Sequence, residues 1–97
     1  MISIKRTGGF AGLTEEIASL DISTLDAFAS EQVKQIVKNI GFFDLPTNIP
    51  GDSVGADLYV YEITVIDGTR QRTVAFVDDA GPATASLRQL VSSVTAL

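Results

Sequence analysis

Residues 57–78, DLYVYEITVIDGTRQRTVAFVD, constrain the fold more than any other stretch of the chain. Two runs rich in Val, Ile, Tyr and Thr flank Asp67-Gly68, a pair that favours the φ > 0 backbone of a two-residue hairpin turn. With those two residues as the turn, Tyr59, Tyr61, Ile63 and Val65 share a face with Val74 and Phe76, and Glu62, Thr64, Gln71 and Thr73 take the other. A lone hairpin with one apolar face is not stable in water, so further strands or helices must cover it. Arg70 and Arg72 fall on the apolar face beside the turn, and that end is expected to project beyond its cover.

The cover is visible on both sides of the hairpin. In STLDAFASEQVKQIVKNIG, residues 23–41, the side chains Leu25, Phe28, Ala29, Val33, Ile36, Val37 and Ile40 recur at three-and-four spacing, which predicts an amphipathic helix. Ser23 and Asp26 resemble a capping box at its start, and Gly41 suits the left-handed residue after its end. Phe42, Phe43 and Leu45 then form a plug under the helix end, and Pro46 prevents continuation. After Gly81-Pro82, Leu87, Leu90, Val91, Val94 and Leu97 make a second apolar stripe. At the other end of the chain, Ile2–Thr7 reads as a strand and Gly8-Gly9 as a turn. A second strand is expected from Leu13 to about Ile22, with a bulge or a register slip where Glu15-Glu16 breaks its alternation. The order is β-β-α-β-β-α. It predicts an α+β two-layer sandwich over residues 1–97: a four-stranded antiparallel sheet with both helices on one face. No linker, low-complexity tract or residue-level repeat divides it.

This topology has a functional corollary. Alternating the elements up and down places the connections 8–12, 46–56 and 78–82 on one rim, with 21–25 and the 67–68 turn on the opposite rim. Phe10, Ile49, Pro50, Asp52, Val54, Asp78 and Asp79 would then share a surface, and loops clustered on a rigid scaffold are where binding usually resides.

The residue inventory narrows the chemistry. The 97 residues include no Cys and no His, which excludes the usual zinc sites and the Cys–His and Ser–His–Asp nucleophile systems. Seven scattered basic residues and a net charge of −5 argue against nucleic acid and anionic membrane as partners. No apolar run suits a membrane span or a secretory leader, so a cytoplasmic location is expected. The pairs Asp78-Asp79 and Glu15-Glu16 read as solvated charge, because neighbours on a strand point to opposite sides. Asp52 and Asp57 lack the ligand spacing of a calcium loop. GGFAG is not a dinucleotide fingerprint, and Lys5 beside Ser3 and Thr7 is a chance spacing on a strand. Tyr59 and Tyr61 read as core. Phe10, set among glycines, poses the sharpest choice: composition alone favours burial, since aromatic residues dominate cores, over presentation to a partner. These features describe a binding protein rather than an enzyme, with no cofactor and no metal of its own.

RTGGFAGL, LDISTLDAFA, GFFDLP, ADLYVYEITV, RTVAFVDD and PATASLRQLVSSV, in this order, resemble emfourin, the protein inhibitor of protealysin-like enzymes of the thermolysin family of zinc metalloproteases. The likeness covers nearly the whole chain, and R-x-GGFAG is its most specific part. It implies a cytoplasmic bacterial protein, monomeric when free, that blocks its protease's cleft with loops. It also implies that apolar side chains fill substrate subsites and that an inhibitor carboxylate reaches the catalytic zinc. The expected contacts are Gly9, Phe10, Ala11, Ile49, Pro50, Asp52 and Val54. Asp52 is the first choice for the zinc-reaching carboxylate, with Asp78, Asp79 and, on the opposite rim, Asp21 as alternatives. A general protein-interaction module without a protease target and a small carboxylate-dependent enzyme are the competing classes. The first would leave metalloproteases untouched; the second requires a concave pocket around a carboxyl of raised pKa.

Overall fold

The computed structural model describes residues 1–8, 13–49, 59–78 and 84–96. Strands β1 (Ile2–Gly8) and β2 (Leu13–Leu20) are followed by a short 3-10 turn, Ile22–Thr24, and helix α1 (Ala27–Asn39). A second 3-10 turn, Phe42–Asp44, leads to β3 (Asn48–Ile49); β4 (Tyr59–Asp67), β5 (Arg70–Asp78) and helix α2 (Ala85–Thr95) complete the chain.

The sheet has five strands in the order β2-β1-β4-β5-β3. It is mixed rather than purely antiparallel, because β3 pairs with β5 in parallel through Asn48–Ala75 and Ile49–Phe76. The expected four-stranded antiparallel sheet is therefore corrected by one short strand inside what reads as the loop 46–56. The physical reason lies at the end of α1. The chain leaves the helix beside the 67–70 turn: the Arg70 guanidinium stacks 4.2 Å from the centre of the Phe43 ring. It then runs up the free edge of β5, where the Ala75 amide donates to the Thr47 carbonyl at 2.9 Å. Arg72 donates from Nε to the Leu45 carbonyl at 2.8 Å and a second time from its terminal nitrogen. This contact half-buries Arg72, while residues 66–71 stay exposed, so the turn end of the hairpin projects as the sequence predicts.

One face of the sheet carries Ile2, Ile4, Ile63, Val65, Val74 and Phe76, and both helices bury against it through Val33, Val37, Leu87, Leu90 and Val94, with Phe42 beneath the end of α1. The hairpin register Ile63–Val74 and Tyr61–Phe76 gives the predicted faces. The turn itself differs. Asp67 pairs with Arg70, so Gly68 and Thr69 are its central residues, and Gly68 takes φ 61°. Moving the turn by one position shifts the pairing by two residues, which leaves every side chain on its expected face. The bulge in β2 falls at Ile17, since Ile4 pairs with Ala18 while Lys5 pairs with Glu16. The strand ends at Leu20 rather than Ile22 because Asp21 caps the following turn, accepting from the Ser23 amide at 3.1 Å and its hydroxyl at 2.7 Å.

Helix α1 starts three residues later than a Ser23 cap would place it. Asp26 is its N-cap, accepting from the Ala29 amide at 2.7 Å. This puts Phe28 in the first turn, 81% exposed and off the apolar stripe on which its spacing had placed it. Gly41 has φ 65°, the left-handed conformation expected of the residue that closes the helix. Among the described residues, no helix is long and apolar enough to cross a membrane.

Candidate functional site

The cross-strand register shows where the loops leave the sheet. Leu13 pairs with Gly8, Gly8 with Tyr59, and Tyr59 with Asp78. These four residues form one row across β2, β1, β4 and β5, and three strand spacings make the row about 15 Å long. Ile49, opposite Phe76, ends the edge strand two residues below the row. The chain ends that bound segments 9–12 and 50–58 therefore lie at one end of the sheet, as does the end of β5 that leads into 79–83. Helix α1 does not deliver the chain to this rim; β3 does.

The sequence-predicted contacts divide accordingly. Gly9, Phe10, Ala11, Pro50, Asp52, Val54 and Asp79 lie outside the described residues, as do Asp57 and Leu97. Ile49 is half-buried and packs against the core cluster. Asp78 is half-buried at the rim, facing Tyr59. Asp21 sits at the opposite end of the sheet, beyond the row Leu20–Ile2–Val65. Its carboxylate is engaged by Ser23, whose side-chain and backbone hydrogen bonds hold its pKa below the ordinary aspartate value.

On the helix-facing side of the rim lies a cluster that spacing alone had not singled out. Arg6 continues the face of Ile2 and Ile4. Its guanidinium donates to the Glu15 carboxylate at 2.5 Å and lies 4.3 Å over the centre of the Tyr59 ring. Hydrogen bonds to Glu15 and then to the Tyr61 side chain raise its pKa further above the ordinary arginine value, so it stays charged at any working pH. Its Nε is buried without a hydrogen-bond partner. Tyr61 stacks on Phe76 with ring centres 5.5 Å apart and planes 14° from parallel, so Tyr61 joins the core. Tyr59, by contrast, is 38% exposed under Arg6 rather than buried. The clue in the sequence was strand parity: alternation from Ile2 and Ile4 carries a cation onto the core face at Arg6. Below this cluster, Tyr61, Phe76, Asp78, Arg88, Val91 and Ser92 line a cavity of about 180 Å³.

A larger cavity, about 660 Å³, opens at the opposite end between Met1, Asp21, Lys38, Phe43 and the 67–70 turn. Several of its polar groups are already engaged: Arg70 pairs with Asp67 at 2.9 Å, and the Met1 amine donates to the Ile66 carbonyl at 2.8 Å. Among the described residues, no three His, Cys, Asp or Glu side chains are grouped to hold a metal ion. The geometry offers a row of paired strand ends backed by an aromatic and charged cluster.

Comparison with curated proteins and with solved structures finds no match. The family model described as Emfourin matches residues 4–95, which include both the loop rim and the core beneath it, and the chain belongs to the emfourin family.

Proposed function

We propose that this chain is a protein inhibitor of a thermolysin-family, protealysin-like zinc metalloprotease, and that the loop rim is its inhibitory surface. Family membership supports the inhibitor role. The observation that carries the choice of surface is the row Leu13–Gly8–Tyr59–Asp78, which gathers loop ends from distant parts of the sequence. In this reading Gly9, Phe10, Ala11, Ile49, Pro50 and Val54 contact the protease, with Phe10 or Ile49 entering an apolar subsite. A catalytic zinc of this class keeps one position open beside three protein ligands. The Asp52 carboxylate would take that position and displace the water that the metal otherwise activates. Asp78, the last residue of β5, and Asp79 after it are the alternatives for the same role in this reading. Asp21 is the weakest alternative, since it lies at the other end of the sheet and its carboxylate already caps a turn.

Size is adequate. A standard interface takes about 800 Å² per partner, roughly a seventh of this chain's 5881 Å². Titration of a protealysin-like enzyme with a fluorescent peptide substrate tests the proposal: activity should fall stoichiometrically, and the inhibitor should be recovered uncleaved. Asp52→Ala should weaken inhibition by tens-fold or more, as truncation of an interface hot spot costs about 2 kcal/mol or more. Full inhibition by a folded Asp52→Ala variant moves the assignment to Asp78 or Asp79. Full protease activity across several enzymes at high excess leaves the second reading, a non-enzymatic interaction module. The exposed ring of Phe28, remote in sequence from the rim loops, would then be the first surface to examine.

A further inference from the structure

We propose that Arg6 is a positioning residue of the rim: held between Glu15 and Tyr59, it fixes the strand ends from which segments 9–12 and 50–58 depart. The inference rests on the inhibitor reading for its purpose, but the clamp itself is a property of the free chain.

Strand order puts β1 between β2 and β4, so a side chain on β1 can bind both neighbours at once. Arg6 does this, pairing with Glu15 on β2 and covering the Tyr59 ring on β4. Tyr59 is the first residue of β4, and Glu15 lies two residues inside the start of β2. The clamp therefore joins the far end of one rim segment to the far end of another. Gly8 completes it. Gly8 pairs directly with Tyr59 and has φ 112°, a conformation that disfavours any side chain, so nothing from β1 competes with the Arg6–Tyr59 contact on that face.

Stability alone does not account for the arrangement. The same face of β1 uses Ile2 and Ile4, both fully buried, and an apolar residue at position 6 would continue it without burying an unpartnered Nε. An ion pair that remains partly exposed contributes little to folding. What a guanidinium adds is geometry: a planar fork for a carboxylate and a flat face for a ring, which a lysine cannot supply together. Orphaned polar atoms that a fold tolerates in this way call for a reason beyond packing.

Two readouts test the clamp. In the free protein, the Arg6 Nε–H signal in NMR should exchange slowly and be displaced by the Tyr59 ring. Tyr59→Phe should preserve that displacement and Tyr59→Ala abolish it. In the protease titration, Arg6→Ala and Tyr59→Ala should each raise the inhibition constant by about tenfold or more, with thermal midpoints close to wild type. Tyr59→Phe, which keeps the ring, should restore what Tyr59→Ala loses, and Arg6→Lys should restore only part. The double alanine variant should be no worse than either single one, since both remove the same contact. Wild-type inhibition by Arg6→Ala, losses that match a fall in thermal midpoint, or losses that multiply in the double variant would each overturn the proposal. Failure of the wild-type chain to inhibit removes the inhibitor reading instead, and a fast-exchanging, undisplaced Arg6 Nε–H removes the clamp whatever the protease shows.

Discussion

Asp21 and Asp26 lie in one acidic, hydroxyl-rich stretch, yet each closes a different turn. Asp21 holds the 3-10 turn after β2, and Asp26 starts α1. Ser23 and Asp26 have the spacing of a capping box, but Ser23 is spent on Asp21, so the helix begins later. That displacement also decides the fate of Phe28. A residue in the first turn of a helix can satisfy the apolar period and still lie past the edge of the surface it should cover. Phe28→Ser is therefore expected to change stability by no more than about 0.5 kcal/mol, the usual range for exposed sites. Phe42→Ala, at a fully buried ring, should cost about 3–5 kcal/mol. Urea denaturation of the two variants separates them. Asp21 also gives a signed pH response. Its carboxyl has a lower pKa folded than unfolded, so its contribution is fully present above the ordinary aspartate value and is lost as pH falls through the lowered one. The difference in thermal midpoint between wild type and Asp21→Ala should accordingly narrow as pH is taken into the acid range. Arg6 was legible only as a break in polarity along β1, because its partners lie on β2 and β4 and pairing across strands has no local signature.

Among the elements, the two long hairpin strands and both helices were readable from periodicity, since each repeats its pattern over two or more turns or pleats. β3 was not. Two residues, one polar and one apolar, carry no period, and the segment is bordered by Pro46 and Pro50, which signal a loop. What creates the strand is tertiary: the Phe42–Leu45 plug docks against Arg70 and Arg72, and the chain has only the edge of β5 to follow. Arg72 is the fastening. Arg72→Met keeps the apolar stem but removes both donors to the Leu45 carbonyl, a loss of about 2 kcal/mol for a charge-assisted bond. Denaturant titration should show that loss, and hydrogen exchange at the Ala75 amide should quicken with it, because Ala75 donates to Thr47 on the same edge segment. The hairpin turn carried the opposite lesson. Asp67-Gly68 marked the right place, but Arg70 pairs with Asp67 in both the ladder and the ion pair, and this fixes Gly68-Thr69 as the corner.

For the molecule as a whole, both helices cover one face of the sheet, and among the described residues nothing is layered on the other. That other face is polar across its middle: Lys5 lies opposite both Glu16 and Glu62, and the hydroxyls of Thr64 and Thr73 meet at 2.8 Å. The layer arrangement was foreseeable because one-sided burial shows directly in alternation; the neighbour order of the strands was not. That order has a kinetic consequence. The centre of the sheet joins β1 to β4, pairing Ile2 with Val65 and Gly8 with Tyr59, so a newly emerging chain must hold its first strand without a central partner until more than half of its length exists. A nucleus made that way closes a long loop before it gains the contacts that reward closure. Refolding from urea is expected to take milliseconds to seconds. A slow, single-exponential recovery, accelerated little by helix-favouring surface substitutions in α1, would identify the β1–β4 junction as the step that sets the rate.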